Sequence, residues 1–253
     1  MALLPLVIIR LVARKPIEWR WAYLVSLTGV LSHLGFDLTN VYGVRLLLPF
    51  SARWLQLDIT HVIDPWILGA LILAVSATAL SGLIGSEIGE KVRPGRVAAT
   101  LALAFVALYN CARAVIHQRA VAILESRVYS RSLPKRVAAF PREFNPLAWR
   151  GVVDTGSSYL LFNLQVGGPF DPTDYRAIHS PEDAQAIRSA RETKVFRDFL
   201  AFSQFPVWTV VPVSDPPNGF RVEATDLRFR GGFTATAILD AQRRVTRVWF
   251  EFL

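Results

Sequence analysis

His33 and Asp37 lie four residues apart, so on a helix their side chains leave one face a turn apart and can meet at a single point. An imidazole and a carboxylate converging in this way suit either a divalent metal ion or an acid and base pair. The same spacing also gives a plain hydrogen-bonded pair. Asn40 shares that face if the helix persists to Val41 before Gly43 ends it. Asp58, His61 and Asp64 repeat the theme at three-residue intervals. The candidate ligands of a divalent ion, zinc among them, are therefore His33, Asp37 and His61, and the candidate catalytic groups are Asp37, Asp58, Asp64 and Arg113. Each has a simpler role open to it. Asp58 and His61 also read as solvated loop residues. Asp64-Pro65 before an apolar run is a helix start, with the carboxylate capping free N–H groups and proline at the first helical position.

Apolar segments hold these residues in place. Residues 21–36 form an apolar run with small residues along it, slightly short for a bilayer, so its His33 end is expected at the membrane surface or in the protein interior. The run from Trp66 to Ile88 has no charge between Asp64 and Glu87, and Val97 to Ile116 is a second clear span beyond the basic turn Lys91 to Arg96. In the latter, Tyr109, Asn110, Arg113 and His117 make one polar stripe. Either it snorkels to headgroups, or it faces the bundle and closes a polar cavity with the His33 face, to which Glu87 and Glu90 could add. Residues 2–13 are apolar but too short to cross alone. Arg14, Lys15 and Arg20 beside Trp19, Trp21 and Tyr23 suit a membrane interface.

The composition agrees with a membrane. Over the 253 residues 52% are hydrophobic, and mean hydropathy is +0.34, above the range of soluble domains. The net charge of +8 suits an anionic partner. No compact basic run or nucleic-acid motif accompanies it, so lipid headgroups are expected and nucleic acid is not. The single cysteine, Cys111, excludes an internal disulfide and reads as a buried thiol among apolar neighbours.

After His117 the composition changes. Residues 119–146 read as a basic juxtamembrane helix and an irregular linker with prolines at 134, 141 and 146. Runs at 149–154, 158–166, 207–213, 220–229, 233–239 and 245–252 have strand character, and Asp240 to Arg243 reads as a hairpin turn. Ser180-Pro181-Glu182-Asp183 opens an amphipathic helix continuing to about Gln204. The expected architecture is an α-helical multi-pass membrane domain (1–118), the basic connection (119–146) and a small soluble α+β domain (147–253). Asp154-Thr155-Gly156-Ser157-Ser158 resembles an aspartic protease sequence, but no second such aspartate motif occurs, so a turn between strands is expected. Glycine-rich phosphate loops, cysteine pairs and nucleophile elbows are absent.

The stretch H-x-x-x-D-x-x-N-x-Y-G from His33 to Gly43, followed by Pro49-Phe50-Ser51 and by Asp58 through Asp64-Pro65-Trp66, resembles the bacterial inner-membrane family of metal-dependent hydrolases, the YdjM-like group. The likeness covers residues 25–70, and more loosely the helices to 117. Trp149 and Asp226-Leu227-Arg228-Phe229 are similar to the extra domain of some members. The resemblance implies His33 and Asp37 as ligands, Asn40, Tyr42 and Gly43 as site-shaping residues, and Asp64 as the acid of the Asp-Pro element. Family members generally carry an H-R-x-x-T-H-S type motif before this stretch, and no histidine precedes His33. The expectation is that the start lies inside a longer gene or that part of the site is lost.

Two functions follow as expectations. One is a membrane-bound, metal-dependent hydrolase acting at the interface, with Arg113 steadying an anionic lipid or phosphate-containing substrate. The other is a non-catalytic membrane-anchored binding module or inactive family member. Basic residues at 14–20 and 91–96, placed in the cytoplasm, put the 37–64 loop and the C-terminal domain on the periplasmic side; those after His117 argue the reverse.

Overall fold

A computed structural model of the chain describes residues 18–88, 95–129, 133–179, 181, 183–229 and 231–252, with the side chains of 86–88 left out. Arg14, Lys15, Glu90, Lys91, Arg93, Ser180 and Glu182, and the side chain of Glu87, lie outside them. Two compact units divide the chain, 1–115 and 116–253.

The first unit is helical. Helix α1 spans Trp19–Thr39, α2 spans Pro65–Ile88, and α3 spans Gly95–Glu125 and so runs past the division. Among the described residues, Pro65–Gly85 and Gly95–Glu125 are long and apolar enough to cross a bilayer. Helix α1, expected as a further span, falls outside that class; it carries Arg20, His33 and Asp37. The core helix of a water-soluble protein hides its apolar side chains, whereas α2 and α3 leave Ile72, Val75, Leu83, Leu101 and Leu108 exposed. Lipid, not water, satisfies such surfaces. Gly69, Ala70, Ala74, Ala98 and Ala102 line an apolar groove of about 700 Å³ between α2 and α3. Cys111 is exposed on α3 rather than buried as its neighbours suggested, because those neighbours themselves face outward.

The second unit contains two four-stranded antiparallel sheets. Strands β1 (Arg136–Pro141), β2 (Ala148–Asp154), β3 (Ser158–Gln165) and β4 (Arg176–His179) lie in the order 1-2-3-4. Trp149, Val153, Leu160, Phe162 and Leu164 alternate toward one face and pack with Ala120 and Leu124 from the end of α3. Gly151 is what lets that helix approach: a Cβ there would lie 3.0 Å from both Leu124 methyl carbons. Strand β1 falls in the stretch expected to be an irregular linker. Its residues lack a strong alternation of their own and become a strand by pairing with β2, from Arg136 opposite Asp154 to Pro141 opposite Trp149.

Strands β5 (Pro206–Val213), β6 (Gly219–Asp226), β7 (Phe233–Leu239) and β8 (Val245–Phe252) form the second sheet, again in sequential order. Helices α4 (Ala184–Arg191) and α5 (Lys194–Phe202) cover one face. Ala186, Ala190, Phe196 and Phe199 meet Trp208, Val222, Ala224, Ala235 and Leu239 there. One helix was expected from 181 to 204, and it is broken at Thr193. That hydroxyl accepts from the Phe196 N–H, capping α5 as a new start. Asp183 caps α4, accepting from the Ala186 N–H at 3.0 Å, while the cap expected at Ser180 lies outside the described residues. The turns at 154–158 and 240–243 form as expected, with Asp154 Oδ1 accepting from the Gly156 N–H and Asp240 Oδ1 from the Gln242 N–H.

Candidate functional site

The segment between α1 and α2 is a folded plug, not an open loop, and its polar residues build it. Asn40 Oδ1 accepts from the N–H groups of Tyr42 at 2.7 Å and Gly43 at 3.2 Å, an Asx turn that reverses the chain as α1 ends. Gly43 has φ +78, and a Cβ there would stand 2.7 Å from the Leu55 carbonyl oxygen, so only glycine fits. Val44 and Leu55 then exchange backbone hydrogen bonds at 2.9 and 3.0 Å. The chain returns beside the helix end: Leu57 N–H donates to the Leu38 carbonyl, and the Ile59 and Thr60 N–H groups donate to that of Thr39. The Thr60 hydroxyl donates to the Thr39 hydroxyl at 3.1 Å.

Helices α2 and α3 grip this plug from the other side. Asp64 Oδ1 accepts from the N–H groups of Trp66 at 3.1 Å and Ile67 at 3.3 Å, capping α2 above Pro65. Its other oxygen accepts from the Tyr109 hydroxyl of α3 at 3.1 Å. Arg113, only 1% exposed, donates from Nε to the Ile59 carbonyl at 2.8 Å. Three of the residues singled out by type, Asn40, Asp64 and Arg113, thus hold loop to helix.

His33 and Asp37 stand differently. His33 Nε2 lies 3.4 Å from Asp37 Oδ2 on the last turns of α1, with the imidazole 78% exposed. The helical spacing brings them together as geometry requires. Asp58 and His61 sit on the returning segment that hydrogen-bonds the end of α1. Asp58 adopts φ 54, a left-handed conformation that aspartate tolerates better than most side chains. Among the described residues, no three His, Cys, Asp or Glu side chains converge as a metal-binding group. His117 belongs to the second unit, where its ring packs against Trp149 at 5.2 Å.

The residues missed in the sequence are the Thr39 and Thr60 hydroxyl pair and the Tyr109 bond to Asp64. The Asx turn belongs with them: Asn40 was expected to extend the His33 face, but the helix ends at Thr39, and Asn40 followed by Gly43 is the signal that marks the turn. Nothing local announces Tyr109, whose partner is 45 residues away.

In the second unit, the Asp226-Leu227-Arg228-Phe229 sequence is a buried knot. Asp226 Oδ2 accepts from Arg228 Nε at 2.9 Å and from the Gln204 N–H at 2.9 Å, while Arg228 Nη2 donates to the Phe202 carbonyl at 2.7 Å. The rings of Phe202 and Phe229 flank the guanidinium at 4.3 and 5.0 Å. The motif ties the end of α5 to the β6–β7 connection.

Comparison with known proteins follows the same division. Residues 185–251, the second sheet and its helices, match the YfhP C-terminal alpha/beta plait domain. The chain is similar to the uncharacterized protein YfhP of Bacillus subtilis (strain 168), 23% identical over 230 residues that make up 90% of this chain. It spans 64% of that relative's length. No solved structure matches significantly. Residues 1–120 match the model of the YdjM inner membrane protein. These 120 residues contain the plug and most of the helices that grip it.

Proposed function

We propose that the chain is a multi-pass bacterial inner-membrane hydrolase, acting at the membrane interface on a phosphate ester or lipid headgroup, with the loop and C-terminal domain on the periplasmic side. The observation that carries this reading is the His33 and Asp37 pair, 3.4 Å apart and open to its surroundings beside a braced loop. Two protein donors suit a divalent ion that completes its shell with water and with phosphate oxygens of its substrate. A zinc ion with three protein ligands would need a third donor; Asp58 and His61 are the nearest candidates in sequence, and among the described residues neither converges with the pair into a three-donor group. The ion, when bound, supplies Lewis-acid polarisation of a phosphoryl oxygen. The chain's own part is positional. Asn40 and Gly43 fix the turn, Asp64 and Tyr109 tie the loop to two helices, and Arg113 holds the Ile59 carbonyl while placing a cation beneath the loop where an anionic substrate arrives.

The test is metal titration of the full-length protein in detergent with manganese and zinc, comparing wild type with His33→Ala and Asp37→Ala, followed by assay against phosphate monoesters and diesters. Stoichiometric binding lost in both variants supports the proposal. A wild type that binds no stoichiometric metal overturns it and leaves the membrane-anchored binding module.

A further inference from the structure

An exposed sheet edge presents unpaired backbone groups to any other strand, and proteins normally blunt it with proline, short length or cover. Three of the four edges in the second unit are treated this way. Strand β5 carries Pro206 and Pro212, β1 ends at Pro141, and β4 is four residues long. Strand β8 is different: eight residues, Val245–Phe252, without proline or lysine, on the outside of its sheet. Its aromatic side chains remain open, Phe252 at 70%, Phe250 at 45% and Trp249 at 36% exposure.

The register with β7 sorts β8 into two faces. Val248, Phe250 and Phe252 lie opposite Ala237, Ala235 and Phe233, on the side covered by the helices. Arg247, Trp249 and Glu251 lie opposite Ile238, Thr236 and Thr234, on the other side. An antiparallel strand pairing with its own copy about a two-fold axis must be centred on a residue, because hydrogen-bonded and non-bonded positions alternate. With Trp249 at the centre, Arg247 faces Glu251 of the second copy, and the reverse contact repeats it. Phe250 then faces Val248 of the second copy, and Phe252 faces its Thr246. A centre at 247 or 251 opposes like charges, and centres at 248 or 250 leave Arg247 and Glu251 without each other. Only the Trp249 centre makes the edge complementary to itself. Arg247 is free to change partner, since its present contact with Asp215, at 3.1 Å, joins two exposed side chains.

We propose that β8 is a homodimer interface, two copies joining their second sheets edge to edge in the register centred on Trp249. The backbone of β8 supplies the hydrogen bonds, the aromatic side chains supply apolar burial, and the paired Arg247 and Glu251 select the register.

Full-length protein in detergent micelles tests this. Light scattering at micromolar concentration is expected to show a dimer. Directly opposed residues have Cα atoms about 4.5–5.5 Å apart, within disulfide reach. In a Cys111→Ser background, Trp249→Cys is therefore expected to form an intermolecular disulfide on mild oxidation. Thr246→Cys and Phe252→Cys are each expected to cross-link poorly alone and efficiently when mixed. Arg247→Glu or Glu251→Arg is expected to weaken the dimer about tenfold, by turning two symmetric attractions into repulsions, and the double exchange to restore it. A monomeric wild type overturns the proposal. So does a dimer that Trp249→Cys fails to cross-link, or one indifferent to both charge reversals.

Discussion

Two pairs of opposite groups, His33 with Asp37 and Arg228 with Asp226, show what separates a residue that builds from one that is open to chemistry. In the second pair both side chains are wholly buried, and their oxygens and N–H groups are met by the chain: Asp226 by Arg228 and Gln204, Arg228 by Asp226 and the Phe202 carbonyl. Burying a charge is costly unless it is so met, and a pair so met has no capacity left for a ligand. In the first pair the imidazole is 78% exposed and the carboxylate 33%. Asp64 and Arg113 side with the second pair, since Asp64 accepts at both oxygens and Arg113 is buried with its Nε on the Ile59 carbonyl.

The largest test of this contrast is Asp226→Ala. It leaves the Arg228 guanidinium buried without its carboxylate, a change expected to cost about 3–5 kcal/mol. Denaturant unfolding followed by limited proteolysis of the C-terminal domain measures it. A loss no greater than that of a surface substitution would break the comparison. Next comes Gly43→Ala, where a Cβ meets the Leu55 carbonyl at 2.7 Å with φ at +78. Roughly 2 kcal/mol of strain is expected there, read as a lowered Tm of the full-length protein in detergent. The loop's tolerance of that alanine would show that the plug is softer than its hydrogen bonds imply.

The sequence made the local parts of this molecule legible. Asp64-Pro65 announced a helix start, Asp240 to Arg243 a turn, and four-residue spacing the meeting of His33 with Asp37. In each case the signal and its partner lie within a few residues. What stayed hidden depends on distant partners. Strand β1 exists because β2 is there to pair with it, His117 packs against Trp149, and Tyr109 finds Asp64 across 45 residues. The break at Thr193 was hidden for another reason. Neither glycine nor proline marks it, and a lone threonine reads as well inside a helix as at its start.

A smaller effect comes from acid. The Asp183 carboxyl is held below the usual carboxylate range by the Ala186 N–H it accepts, and further by the Arg243 guanidinium at 2.7 Å. Its native form takes up a proton less readily than its unfolded form. The stability it contributes is therefore full above the unfolded pKa of about 3.9 and is lost as pH falls through the lower native value. Asp183→Asn keeps a capping oxygen and removes the charge, so the variant's unfolding midpoint is expected to fall less steeply than wild type below about pH 4. Parallel acid limbs would show that the carboxylate is as free as its exposed neighbours.

The smallest expected effect on folding is the most discriminating. If His33 and Asp37 are unspent, His33→Ala and Asp37→Ala should each change the stability of the full-length protein by no more than about 0.5 kcal/mol, as exposed positions do. Divalent ions should then separate wild type from variant. An ion bound by the native state alone stabilises it by about 2.7 kcal/mol at a hundredfold excess over Kd. Manganese or zinc should therefore raise the wild-type Tm and leave both variants where they are. Magnesium at the same concentration gauges how much the imidazole matters, since a hard ion gains little from His33. The opposite pattern, alanine destabilising the protein as Gly43→Ala does while metal moves nothing, would put the pair with Asp226 and Arg228 among the residues that only build.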